Sequence, residues 1–360
     1  MSSIKQAAGR TRVLVADDSA FMRTALKRMI ESDPTMVVID TAQTGTEALE
    51  KISLQRPEVV TLDVEMPGLN GLETLRRIMR EFPLPVIMVS SLTQEGAEVT
   101  LEALDIGAFD YVPKQQSYAS LDIVKIRDDL VSKIRAAAEM AKRRPTARSA
   151  LSAVRKSEAR GSWQVTPEII AVGTSTGGPK ALQEILPLLP GDLPVPVLVV
   201  QHMPPGFTGP FARRLNNLCK ITVREAEQSE TIQPGVVYIA PAGQHLRLSR
   251  PTPSTVIAQL SLLPENMPHR PSVDVMMLSV ADIFGSLSMG VIMTGMGADG
   301  LQGMQAIANA GGLTVGQDAQ SCVVYGMPRS CAEAGILRRI VPLTEIPGVI
   351  VQAARSRKRA

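Results

Sequence analysis

Histidine, cysteine and tryptophan are scarce: the 360-residue chain has 3 histidines, 3 cysteines and a single tryptophan. Cys219, Cys322 and Cys331 share no metal-ligand spacing. An odd, low count argues for a reducing compartment rather than a disulfide scaffold. No apolar run is long enough to span a bilayer, and no apolar core with a cleavage site opens the chain, so the expected location is the cytoplasm. Aromatics make up 3% of residues and none interleaves the two basic runs. The first run gathers Lys142, Arg143, Arg144, Arg148, Arg155, Lys156 and Arg160. The second gathers Arg355, Arg357, Lys358 and Arg359. Net charge is only +3, so the basic pI of 8.8 is largely local to these runs. They read as a solvated linker and tail, and no nucleic-acid partner is expected.

Length alone favours two domains. In residues 12 to about 129, five short apolar runs alternate with helical patterns: 12–16, 37–40, 59–62, 86–90 and 110–112. Between them Met22, Ala25, Leu26, Met29 and Ile30 recur at helical spacing, as do Leu72, Leu75, Ile78 and Met79. Five strand–helix alternations predict a doubly wound parallel sheet, a (βα)5 unit with helices on both faces. Polar residues stand where the strands end: Asp17 and Asp18, Asp63, Ser90 and Lys114. Such carboxyl ends share one edge of an open parallel sheet, where ligands bind. Any one of these residues could be a helix cap or turn former. All of them at successive strand ends point instead to a site. Three carboxylates there repel unless a hard cation such as Mg²⁺ sits among them. Asp63 could then attack a phosphoryl group, with Ser90 and Lys114 holding the incoming oxygens.

The runs VADDSAFMR, LDVEMPGLNGLETL, VIMVSS and DYVPK resemble a response-regulator receiver domain. The resemblance implies phosphorylation of Asp63 by a histidine kinase. It also implies Mg²⁺ held by Asp18, Asp63 and the backbone carbonyl of Glu65, with Asp17 assisting, and Tyr111 as an aromatic switch beside Ser90 and Lys114. Gln115 departs from the family, which often carries proline there.

Helical spacing persists from Ile126 to Met140 and completes the first domain, although residues 130 to 165 are expected to be mainly connection. Lys142 to Ser162 is rich in Arg, Ser, Ala and Thr, with few large apolar residues to pack. Trp163 precedes a second domain, residues 166 to 357. Its strand candidates are 169–172, 195–201, 221–225, 236–240, 290–294 and 313–315. Helical stretches cover 181–189, 207–218 and 301–310. Residues 245–249 and 255–261 alternate across a proline-bearing turn, as an antiparallel hairpin does. A mostly parallel α/β sheet with a small antiparallel part follows.

The stretch IIAVGTSTGGP runs a buried strand into a glycine-rich turn. Ser175 lies between Gly173 and Gly177, the Gly-x-Ser-x-Gly spacing of a nucleophile elbow. Strand–glycine–helix junctions also bind phosphate or simply turn, but GTSTGG has neither the P-loop Lys-Ser/Thr nor GxGxxG spacing. A serine nucleophile needs a base and the base an orienting acid. His202 directly follows the strand VLVVQ, as Ser175 follows its own strand. His245 opens the hairpin and reads as a packing residue. His269, in NMPHRPS, could line a pocket. Asp299 follows a strand within glycines that permit close approach. Asp318 competes with it, whereas Asp274 and Asp282 sit inside a helical run and do not obviously point at this edge.

The runs GTSTGGP, VVQHMPPGFT, YIAPAGQHL, HRPSVDVMM and MTGMGADG resemble the catalytic domain of the chemotaxis protein-glutamate methylesterase family, CheB. With the receiver, the likeness covers nearly the entire chain. It implies a triad of Ser175, His202 and Asp299, with an oxyanion hole from the backbone N–H groups of Thr176 and Met296. It implies hydrolysis of glutamate methyl esters on chemoreceptors, releasing methanol, and deamidation of certain glutamines, in chemotaxis adaptation. No cofactor is expected in the esterase domain. The protein would be a monomer that meets the membrane only through receptors. Phosphorylation would uncover an active-site edge otherwise covered by the receiver. Two other readings are a receiver with a DNA-binding output and a serine esterase or amidase for small molecules. No helix-turn-helix pattern supports the first; the second keeps the triad and changes only the substrate.

Overall fold

A computed structural model describes residues 9–91, 93–114, 122–142 and 165–356. Gln115, Trp163, the basic stretch beyond Lys142 and the tail beyond Ser356 lie outside the described residues. The chain divides into two compact units, Met1–Lys156 and Ser157–Ala360.

The N-terminal unit alternates β1 (Thr11–Ala16), α1 (Ala20–Glu31), β2 (Met36–Ala42), α2 (Gly45–Gln55), β3 (Val59–Asp63), α3 (Gly71–Glu81), β4 (Val86–Ser91), α4 (Gln94–Ile106), β5 (Asp110–Lys114) and α5 (Asp122–Lys142). The sheet order is β2-β1-β3-β4-β5, all parallel. All five residues of β3 are buried, as a central strand covered on both faces requires. Four helix starts follow a side-chain cap: Ser19, Thr44, Asn70 and Thr93 each accept an N–H from the first turn. The expected connection from residue 130 is corrected by α5. Its Leu130, Ile134, Ala137 and Ala138 are buried, so residues 130–142 are a packed helix of this unit.

The C-terminal unit begins with β6 (Ile169–Thr174), α6 (Gly178–Ile185), β7 (Val197–Gln201), α7 (Thr208–Leu218), β8 (Thr222–Glu225) and β9 (Val236–Ile239). A hairpin of β10 (His245–Thr252) and β11 (Thr255–Ser261) precedes α8 (Val273–Phe284). The remainder is β12 (Ser288–Ile292), α9 (Leu301–Asn309), β13 (Leu313–Gln317), α10 (Met327–Glu333), β14 (Arg339–Val341) and α11 (Ile346–Arg355). Seven strands form one parallel sheet, β14-β13-β12-β6-β7-β9-β8, and the hairpin is a separate antiparallel pair. Its Leu246, Leu248 and Ala258 join a core with Val273, Met276, Met277 and Val280 of α8. The Leu248 N–H donates to Ser279 Oγ, which ties hairpin to helix.

Several boundaries move for local reasons. Strand β7 starts at Val197 because Pro196 lacks an N–H and contributes only its carbonyl, to Ile170. Strand β6 runs on to Thr174, since Gly173 and Thr174 still pair with Val200 and Gln201. Helix α6 begins at Gly178, three residues before the apolar pattern that starts at 181. Strand β14, three residues at the sheet edge, is too short to show a period.

Candidate active site

Strands β12, β6 and β7 are neighbours in the sheet. Ser175 immediately follows β6, His202 immediately follows β7, and Asp299 lies in the loop between β12 and α9. The Ser175 turn is pinned from several sides. Its N–H donates to Thr294 O at 3.0 Å, and its carbonyl accepts the Gly178 N–H at 2.7 Å and Gln201 Nε2 at 3.0 Å. Gly177 has φ +76°, and a Cβ there would lie 2.5 Å from Val323 Cβ, so both conformation and space demand glycine. Gly295 approaches from β12's side: a Cβ on it would fall 2.9 Å from Ser175 Cβ.

Asp299 accepts four hydrogen bonds. His202 Nε2 and the Val273 N–H reach Oδ2, each at 2.8 Å. The Ser272 hydroxyl reaches Oδ1 at 2.8 Å and the Asp274 N–H reaches it at 3.0 Å. The carboxylate therefore sits at the N-terminus of α8, where free N–H groups and the helix dipole favour an anion. Burial pushes its pKa up, but the His202 contact and these N–H groups outweigh that and hold it well below the usual carboxylate range. An ionised carboxylate only accepts, so His202 Nε2 carries the proton and Nδ1 holds the lone pair. Nδ1 is buried and has no hydrogen-bond partner. The His269 ring stacks on His202 with centroids 4.0 Å apart and planes at 19°.

Asp274 is nearer this site than its helical setting suggests. It accepts the Gly303 N–H, and burial together with the Asp299 charge pushes it up to about 6. Asp282 is exposed, and Asp318 accepts from the N–H and hydroxyl of Ser321. His245 is fully buried; Nδ1 accepts the Ser272 N–H at 3.1 Å and Nε2 lies 3.1 Å from the Pro264 carbonyl, so both ring nitrogens are satisfied. Thr176 is buried and its hydroxyl donates to Met296 Sδ at 3.5 Å, which brings these two residues together.

In the N-terminal unit, carboxylate oxygens of Asp17, Asp18 and Asp63 lie within 4.8 Å of one another. Lys114 Nζ is 2.5 Å from Asp63 Oδ2 and 3.2 Å from Asp17 Oδ2. The Glu65 N–H donates to Asp63 Oδ1 at 3.3 Å. Burial, with the Asp17 charge beside it, pushes Asp63 up to about 6 against the pull of Lys114. The Ser90 hydroxyl turns to α4, where it donates to the Gly96 carbonyl and accepts from Thr100. Tyr111 is buried, and its carbonyl accepts from Lys133 at 2.7 Å.

The family model described as CheB methylesterase matches residues 170–350, and that of the response regulator receiver domain matches residues 13–124. A relative from Lawsonia intracellularis, named protein-glutamate methylesterase/protein-glutamine glutaminase, is 45% identical over 356 residues, 95% of this chain and 99% of its own. The chain belongs to the CheB methylesterase family. A Geobacillus kaustophilus CheB-family relative of the same name is 47% identical, covering 95% of this chain and 98% of its own. The crystal structure of the Thermotoga maritima CheB methylesterase catalytic domain is similar at 41% identity and TM-score 0.51, over 52% of this chain and 99% of that one.

Within this CheB-family chain, sequence reasoning overlooks Ser272 and Gln201 at the site and names His269 only as a residue that could line a pocket. Ser272 caps α8 and also bonds Asp299; the Ser-Val-Asp run before an apolar helix was its signal. The His269 stack and the Gln201 amide depend on spatial neighbours and leave no pattern. At the receiver site, Asp17 Oδ2 is buried without a hydrogen bond, facing Lys114 only as an ion pair. A buried, unbonded carboxylate oxygen among hard oxygen donors fits Mg²⁺. Among the described residues, no helix is long and apolar enough to cross a membrane.

Proposed function

We propose that this chain hydrolyses glutamate γ-methyl esters on chemoreceptors, and deamidates certain receptor glutamines, in chemotaxis adaptation. The observation that carries the reading is the Asp299–His202 pair. It fixes the proton on Nε2 and leaves the buried Nδ1 as base, on the strand beside the one that delivers Ser175.

Ser175 Oγ attacks the ester carbonyl as its proton passes to His202 Nδ1. Asp299 holds the imidazole and stabilises the imidazolium. The N–H groups of Thr176 and Met296 receive the oxyanion. His202 returns the proton to the methoxide oxygen, methanol leaves, and a Ser175 acyl-enzyme remains. His202 then takes a proton from water as its oxygen attacks the acyl carbon, and returns that proton to Ser175 Oγ as the acyl–oxygen bond breaks and the glutamate leaves. With a glutamine side chain the leaving group is ammonia.

The receiver accepts a phosphoryl group on Asp63 from the histidine kinase CheA and raises this activity. Asp17, Asp18 and Asp63, with the Glu65 carbonyl, would hold Mg²⁺, which neutralises charge on the phosphoryl oxygens. Lys114 pairs with the same carboxylates, and Ser90 and Tyr111 would respond by rearranging. Methanol release from methylated receptor membranes tests the reading, with and without a small phosphodonor and Mg²⁺. Release that rises with phosphodonor is expected. No release in either condition would reject it.

A further inference from the structure

Gln201 ends β7 and is 2% exposed. Its amide nitrogen faces two carbonyl oxygens, Ser175 O at 3.0 Å and His202 O at 2.9 Å. Two acceptors on one side fix which end of the amide points there: the nitrogen has two protons to give, and the oxygen would be repelled. The other end is unusual. Gln201 Oε1 is buried and has no hydrogen-bond partner. It packs so close to Gly178 that a Cβ on that residue would lie 2.0 Å from it. A buried acceptor without a partner is unfavourable, and a native structure that keeps one calls for a reason.

We infer that Gln201 is a positioning residue that sets the spacing between Ser175 and His202 by bridging their two carbonyls with one amide. This rests on the reading of Ser175 and His202 given above. Beyond the ladder that pairs Thr174 with Gln201, the His202 N–H donates to the Thr174 carbonyl at 3.2 Å. That bond lies one residue upstream of Ser175 and does not touch the serine itself. The amide does. One proton holds the turn that carries Ser175 and the other holds the residue that carries the base. Neither group can shift along its strand without breaking a bond to the same nitrogen. The unpartnered Oε1 follows from this arrangement: the side chain is oriented by its nitrogen, and its oxygen takes whatever space remains beside Gly178.

The test uses full-length protein phosphorylated on Asp63 and assayed on methylated receptor membranes. Gln201→Met keeps length and volume but has no donor. Its kcat is expected to fall about tenfold or more with KM within about twofold, because geometry is lost and substrate binding is not. Gln201→Glu supplies a readout that a packing role would not move. As a carboxylate it offers two carbonyls no proton, whereas as a protonated acid it donates one. Burial raises its pKa, so its activity relative to the parent should climb as pH falls. This ratio carries the test if the methionine variant fails to fold by near-UV circular dichroism. A methionine variant with kcat within about twofold of the parent, or a glutamate ratio flat across pH, would overturn the proposal. Ser175→Ala separates the two levels. If it turns over as the parent does, the site reading fails and this inference falls with it. If it is inert while the Gln201 variants match the parent, only this inference fails.

Discussion

Nε2 of His202 lies 2.8 Å from Oδ2 of Asp299, and the same carboxylate is held by three further donors from the start of α8. Asp299 can therefore neither rotate nor take up a proton easily. Asp299→Asn keeps the shape but turns part of the carboxylate into a donor, so Nδ1 rather than Nε2 would carry the imidazole proton. Turnover should drop about 10³- to 10⁴-fold, in kcat rather than KM. Steady-state methanol release on receptor membranes measures it, and a loss below about tenfold would mean that Asp299 only caps the helix.

Ser272 does two things with one hydroxyl: it donates to Asp299 Oδ1 and accepts the Val275 N–H. Ser272→Ala removes a helix cap, which typically costs about 1 kcal/mol of stability. It also removes one of the four bonds to Asp299. A lower denaturation midpoint with a modest fall in kcat is expected. Hydrogen exchange in the first turn of α8 should quicken, and exchange unchanged there would show that the helix start is held by other contacts.

Much of this was legible because parallel sheets bury their strands on both faces and place polar residues at one edge. The apolar runs ending in Ser175, His202, Asp63 and Lys114 announce both strand and site. What was not legible lies in contacts between segments far apart in sequence. Asp274 looks like an ordinary helical residue, yet the chain folds its N–H against Asp299. Ser90 stands at a strand end as expected, while its hydroxyl is taken by Gly96 and Thr100 of the next helix. In α5 the helical spacing to Met140 was legible while the domain boundary set at 130 was not, because the burial of Ala137 and Ala138 depends on what they pack against rather than on their size.

His245 makes stability depend on pH. Burial pulls its pKa below the ordinary 6.5, and its neutral form satisfies both ring nitrogens. The unfolded chain takes up this proton near pH 6.5, while the folded chain resists until lower pH. The contribution is therefore full above 6.5 and is lost as pH falls through the folded value. The melting temperature of the C-terminal domain should fall on acidification below 6.5. His245→Gln should flatten that slope relative to the parent, and identical slopes would show that His245 does not set it.

Asp63 is held at a disadvantage in the folded receiver. It is 1% exposed, and burial with the neighbouring Asp17 charge raises it from 3.8 to about 6. Below pH 4 both folded and unfolded forms are protonated, and nothing is lost. Between about 4 and 6 the unfolded chain ionises first, so stability declines with rising pH, by on the order of 3 kcal/mol at neutrality. Asp63→Asn removes that charge and leaves Lys114 paired with Asp17. The N-terminal domain of this variant should melt several degrees higher at pH 7 by calorimetry and lose the advantage near pH 4. Mg²⁺ should raise the parent's midpoint more than the variant's, because it offsets a repulsion that the variant no longer has. Labelling by a phosphodonor should vanish in the same protein, since the amide cannot act as the nucleophile. A variant that melts lower than the parent at pH 7 would show that the Asp63–Lys114 pair outweighs the repulsion; one that still takes label would move the phosphoacceptor away from Asp63.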